Sequence, residues 1–122
     1  MRIFTSYFGI ANKFPTNFTL VSIALKTPPW FKGKVYQHLA PSNSILFQWK
    51  QTQNQVVYTE RYTNEILNNL DFNKVLQDLS QLSSGNDNVV LLCYEKSHHP
   101  CHRHIVAKWM RDHGVNCTEV SL

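Results

Sequence analysis

Cysteine is scarce in this chain. Three in 122 residues is a small and odd number, which argues against a disulfide framework and for a reducing compartment. No apolar run approaches the roughly 18 residues a membrane span needs. The opening Met1-Arg2-Ile3-Phe4-Thr5-Ser6-Tyr7 lacks the apolar stretch and small-residue cleavage site of a secretion signal, and reads as a strand. Repeats, low-complexity tracts and linker-like shifts in composition are also missing, which leaves one domain over residues 1–122. Charged residues make up 16% and hydrophobic ones 43%, the balance of a globular chain rather than a disordered one. These absences predict a cytoplasmic protein with no membrane association.

The formal charge is +4, a field that favours anionic partners in general. The twelve Lys and Arg residues are scattered along the chain. A solvated, mildly basic surface therefore accounts for them better than a nucleic-acid patch does.

Hydrophobic spacing orders the elements. Arg2 to Phe8 reads as a strand, and Leu20 to Leu25 as a second apolar run. Lys26-Thr27-Pro28-Pro29-Trp30-Phe31 breaks that run, because paired prolines cannot donate to a ladder. Ser42 or Asn43 is placed to cap a short helix carrying Ile45, Leu46 and Trp49. From Tyr58, the positions Tyr62, Ile66, Leu67 and Leu70 keep a helical period. Asp71 is the expected N-cap of a third helix bearing Phe72, Val75, Leu76, Leu79 and Leu82. Val89-Val90-Leu91-Leu92-Cys93 is unbroken apolar sequence, as in a parallel strand buried on both faces. A helix from about Pro100 to His113 follows, Gly114 stops it, and Val115 to Val120 reads as a strand. The expected fold is a small Rossmann-like α/β domain with a mostly parallel sheet of about four strands, closed by a C-terminal βαβ unit. In such sheets ligands sit beyond the carboxyl ends of the strands.

That rule directs attention to Cys93-Tyr94-Glu95-Lys96-Ser97-His98-His99-Pro100-Cys101-His102-Arg103-His104. Most of these side chains can ionise, and they fall where a helix N-terminus attracts anions. With about 100° per residue, Ile105, Val106, Trp109 and Met110 define the inward stripe. His102 then faces the sheet, Cys101 and Arg103 border the crevice, and His104 points to solvent. Cys101 reads either as a thiolate activated by the helix terminus or as a small buried residue. His102 reads as a general acid–base or as a core histidine bonded to backbone. Arg103 is suited to gripping an anionic ligand. Glu95 suits a general base, or equally an ion pair with Arg103 or Lys96.

Metal chemistry has the right residue types in Cys93, His98, His99, Cys101 and His102. The spacing argues against it, since no Cys-x-x-Cys or His-Glu-x-x-His occurs. Consecutive helical positions also turn Cys101 and His102 apart. Neither a metal nor a cofactor is therefore expected. A phosphatase-type loop fails as well, because ten residues rather than six separate Cys93 from Arg103.

Several motifs carry a resemblance: Thr5-Ser6-Tyr7-Phe8, Ser22-Ile23, Pro29-Trp30-Phe31-Lys32-Gly33, Leu39-Ala40-Pro41 and Tyr58-Thr59-Glu60-Arg61-Tyr62. Leu91-Leu92-Cys93-Tyr94-Glu95-Lys96 with Cys101-His102-Arg103-His104 is the most specific. Over most of its length the chain resembles the domain-of-unknown-function family numbered 488. The resemblance implies a small Rossmann-like domain, and it implies a site rather than a reaction. It adds Ser6 and Tyr7 at the end of the first strand, and Arg61 and Tyr62 on a helix, as candidate ligand-binding residues. Family members often carry an arginine near position 25, where this chain has Leu25 followed by Lys26, so Lys26 joins the candidates.

Three functions compete at this stage. The first is an enzyme acting on a nucleotide, nucleic-acid base or other anionic small molecule, with Glu95, His102 and Cys101 as its chemistry and Arg103 as its anion grip. The second is a non-catalytic ligand-binding or regulatory module using the same site. The third is a nucleic-acid binder using Lys26, Lys32 and Lys34 with neighbouring aromatics.

Overall fold

The computed structural model describes residues 1–94 and 101–121. Five strands form one sheet: β1 (Arg2–Tyr7), β2 (Phe18–Ser22), β3 (Lys34–Val35), β4 (Asn88–Cys93) and β5 (Cys117–Glu119). Their order is β3-β2-β4-β1-β5, and every neighbouring pair is parallel. The helices are α1 (Asn43–Thr52), α2 (Gln55–Glu65), α3 (Phe72–Ser83) and α4 (His102–Asp112). This is the small Rossmann-like α/β architecture, with one strand more than the sequence suggests. The extra strand is β3, two exposed residues on a sheet edge, too short to carry a pattern.

β4 lies at the centre, and Val89 to Leu92 are wholly buried. Alternation sends Val89, Leu91 and Cys93 into one core and Val90 and Leu92 into the other. The first core holds Tyr62, Leu67, Val75, Leu79, Val106 and Met110 from the helical side. The second is an aromatic layer of Phe4, Phe8, Phe14, Phe18 and Phe31. The moves β1 to β2 and β2 to β3 run one way across the sheet; β3 to β4 and β4 to β5 run the other. Crossovers of one hand must then use opposite faces, which matches helices on one side and aromatics on the other.

Local chemistry starts α1 and α3 and ends α4 where the sequence suggests, whereas α2 stops at Glu65 and Leu67–Asn69 form a separate 3-10 turn. The Ser42 side chain accepts from the Ile45 amide and Asp71 from the Lys74 amide, each answering a free N–H of the first turn. Gly114 has φ of 84°, and the Val115 amide donates back to Met110, a glycine-led helix stop. Among the described residues no helix is long and apolar enough to cross a membrane.

Gly33 sits against the sheet backbone just before β3. A Cβ there would come within 2.5 Å of the Leu20 carbonyl oxygen, which the strand cannot move aside cheaply. Gly33→Ala should therefore cost about 1–3 kcal/mol, read as a lowered urea midpoint. An unchanged midpoint would contradict the close approach.

Candidate functional site

The carboxyl ends of the strands bring the candidate residues together. β4 ends at Cys93, β1 at Tyr7 and β5 at Glu119, and the N-terminus of α4 lies over them. Cys101 is the N-cap of α4 and has extended backbone, with φ of −153° and ψ of 144°. It therefore escapes the helical divergence expected from sequence. Its sulfur lies 3.7 Å from Nδ1 of His102 and is joined to the Cys93 sulfur as a disulfide, with the two cysteine Cα atoms 7.2 Å apart. The usual Cα separation for a disulfide is roughly 4.4–6.8 Å.

His102 is buried facing the sheet. Its Nε2 is 2.7 Å from the Ile23 carbonyl oxygen. A carbonyl can only accept, so Nε2 carries the proton and Nδ1 presents its lone pair to the sulfurs. Burial pushes the ring pKa down to about 4, the Ile23 hydrogen bond pulls upward, and Arg103 and His104 add to the lowering. The Tyr62 ring packs against it at 5.4 Å. Tyr62 is itself fully buried, and its hydroxyl donates to the Leu39 carbonyl at 2.5 Å. His104 is half-buried rather than turned to solvent, and burial lowers its pKa too.

Arg103 departs most from the expected geometry. It does not border the crevice; its side chain has no solvent exposure. Nε donates to both Glu119 oxygens at 3.1 and 3.2 Å, and Nη2 to Oε2 at 3.0 Å. Nη1 donates to the Cys93 sulfur at 3.1 Å, and the guanidinium carbon lies 5.9 Å from the Tyr7 ring centre. The helical wheel misplaces this residue because it cannot see a carboxylate arriving on β5. Thr5 donates to the same carboxylate at 2.6 Å. Ser6 is buried, with its hydroxyl donating to the Val120 carbonyl at 2.7 Å. Thr5 and Tyr7 thus touch the Arg103–Glu119 pair, while Ser6 ties β1 to the residue after β5.

A cavity of about 740 Å³ opens above this cluster, within the range of small-molecule sites. Cys93, Cys101 and His102 line it, together with Lys26, Phe47, Trp49, Lys50, Tyr58 and Tyr94. The backbone near Lys26 is anchored twice. The Tyr94 hydroxyl donates to the Lys26 carbonyl at 2.6 Å, and Gln37 donates to the carbonyls of Ala24 and Leu25. Arg61 is not on the cavity lining. It pairs with Glu65 and reaches Ser44 and Gln48, tying α2 to α1. Sequence reasoning missed Trp49, Lys50 and Phe47 as site residues, and only the packing of α1 over the strand ends could reveal them. Glu95, Lys96, His98, His99 and Pro100, which carried part of the sequence reading, lie outside the described residues.

The depressed His102 pKa has a pH signature. The unfolded ring takes a proton near pH 6.5 and the folded ring only near 4, so between these values the unfolded state binds more protons. Stability is therefore full above about 6.5 and falls by on the order of 3 kcal/mol as the pH drops towards 4. In metal-free buffer the His102 ring resonances should stay constant from pH 8 to 5; movement centred near 6.5 would refute the buried neutral ring.

No curated protein and no solved structure matches the chain. A family model described as the active DUF488-N3 subclade matches residues 25–114. That span covers α1 to α4, β3 and β4, the residues Cys93, Cys101, His102 and Arg103, and the cavity lining from Leu25 onward. With about three-quarters of its length matched, the chain belongs to the DUF488 family.

Proposed function

We propose that the protein is an enzyme acting on a nucleotide, a nucleobase or a similar anionic planar molecule held in the cavity at the strand ends. One observation carries this reading: aromatic walls and two lysines stand over a floor of the Cys93–Cys101 sulfur pair and an imidazole. Trp49 and Tyr58, with ring centres 5.5 Å apart, offer apolar surface of the kind on which bases stack. Lys26 and Lys50 supply the positive charge that the sequence reading assigned to Arg103. Below them, His102 presents an unprotonated Nδ1 beside the Cys101 and Cys93 sulfurs, a reactive set that a binding module does not require.

The reading is tested by thermal unfolding with mononucleotides, the matching nucleosides and a short oligonucleotide, followed by product analysis by mass spectrometry. A ligand at about 100 times its Kd adds about 2.7 kcal/mol, a melting shift of several degrees. The expected result is a shift with mononucleotides that is lost in the Lys26→Ala, Lys50→Ala double variant, and turnover that is lost in Cys101→Ser. A shift without any product would leave a ligand-binding module instead. No shift with any compound, or an equal shift in the double variant, would remove the nucleotide site altogether.

A further inference from the structure

We infer that, in the reduced protein, Cys93, Cys101 and His102 form a binding site for a thiophilic divalent cation, zinc by ligand preference, on the floor of the cavity. The inference deepens the proposed function, since it concerns the floor of the same cavity. Among the described residues, the two sulfurs and a ring nitrogen of His102 all lie within 4.8 Å of one another, and all three residues are buried. They come from two segments, the end of β4 and the start of α4, so the fold rather than a local motif assembles them.

With the Cys93–Cys101 disulfide reduced, the site has the dimensions of an ion site. Zinc–sulfur and zinc–nitrogen bonds of about 2.3 and 2.0 Å in a tetrahedron set donor atoms about 3.5 Å apart. Cys101 Sγ and His102 Nδ1 are 3.7 Å apart. The cysteine Cα atoms, 7.2 Å apart, are wider than a disulfide usually spans and leave room for the sulfurs to part around a cation. The extended backbone of Cys101 allows its side chain and that of His102 to converge, which two consecutive helical positions would not.

The surroundings of the donors have the pattern of a metal site. His102 Nε2 donates to the Ile23 carbonyl, which orients the ring and leaves Nδ1 as the ligand atom. The Arg103 guanidinium donates to the Cys93 sulfur, and such a contact favours thiolate over thiol. Glu119 and Tyr7 hold that guanidinium in place. All three donors also line the cavity. Among the described residues these three are the donors, and they face the space in which the substrate is proposed to sit.

The test uses the metal alone, without nucleotide. Reduced full-length protein should carry close to one equivalent of zinc by elemental analysis. After chelation, cobalt(II) should restore one equivalent, with thiolate-to-cobalt charge-transfer absorption and tetrahedral ligand-field bands. Cys101→Ser should lose most of the charge-transfer intensity and bind zinc at least tenfold more weakly, with circular dichroism confirming its fold. Cys117→Ser, altering the buried free cysteine outside the cluster, should match wild type. Failure of reduced wild type to bind either metal, or a cobalt spectrum without thiolate character, would overturn the inference. So would a Cys101→Ser protein with wild-type affinity. Nucleotide binding without metal binding would sink this inference and leave the proposed function standing; metal binding without nucleotide binding would do the reverse.

Discussion

The guanidinium of Arg103 is sealed from solvent, and three strands answer it. Glu119 on β5 takes it bidentately, the Cys93 sulfur on β4 accepts from Nη1, and the Tyr7 ring on β1 lies beside it. A buried charge stripped of its partner is expensive, about 3–5 kcal/mol in known cases, so these contacts are held together or not at all. They pin the first turn of α4 above the ends of the three strands. Cys101 at the N-cap and His102 beside it inherit their positions from that pin.

The same interaction redistributes charge. With Arg103 turned inward onto Glu119, positive charge at the cavity comes, among the described residues, from Lys26 and Lys50. The Lys26 carbonyl is held by Tyr94, and the preceding residues by Gln37. Arg61, which ties α2 to Ser44 and Gln48, steadies the helix that carries Trp49 and Lys50. Much of the polar chemistry around the site therefore positions groups rather than meeting a ligand.

The fold was largely legible in the sequence because it rests on burial patterns that a sequence records. The unbroken run Val89 to Cys93 implied a strand covered on both faces, and it is the central strand. The inward stripe of α4 and the caps at Ser42 and Asp71 were visible as spacing and residue type. The site was legible in place and less so in orientation. A helical wheel treats Cys101 as helical, yet the N-cap takes extended backbone and turns its sulfur towards His102 and Cys93. The wheel also sets an arginine at the helix edge outward, because Glu119, sixteen residues on, becomes its neighbour only once β5 pairs with β1. Trp49 and Lys50 carried no signal, since a half-exposed tryptophan and a surface lysine look ordinary until α1 is packed over the strand ends.

The most direct test is a crystal structure with a stabilising mononucleotide bound. The account predicts the phosphate beside Lys26 and Lys50, the base against Trp49 and Tyr58, and Arg103 still paired with Glu119. A phosphate gripped by Arg103, with Glu119 displaced, would contradict it.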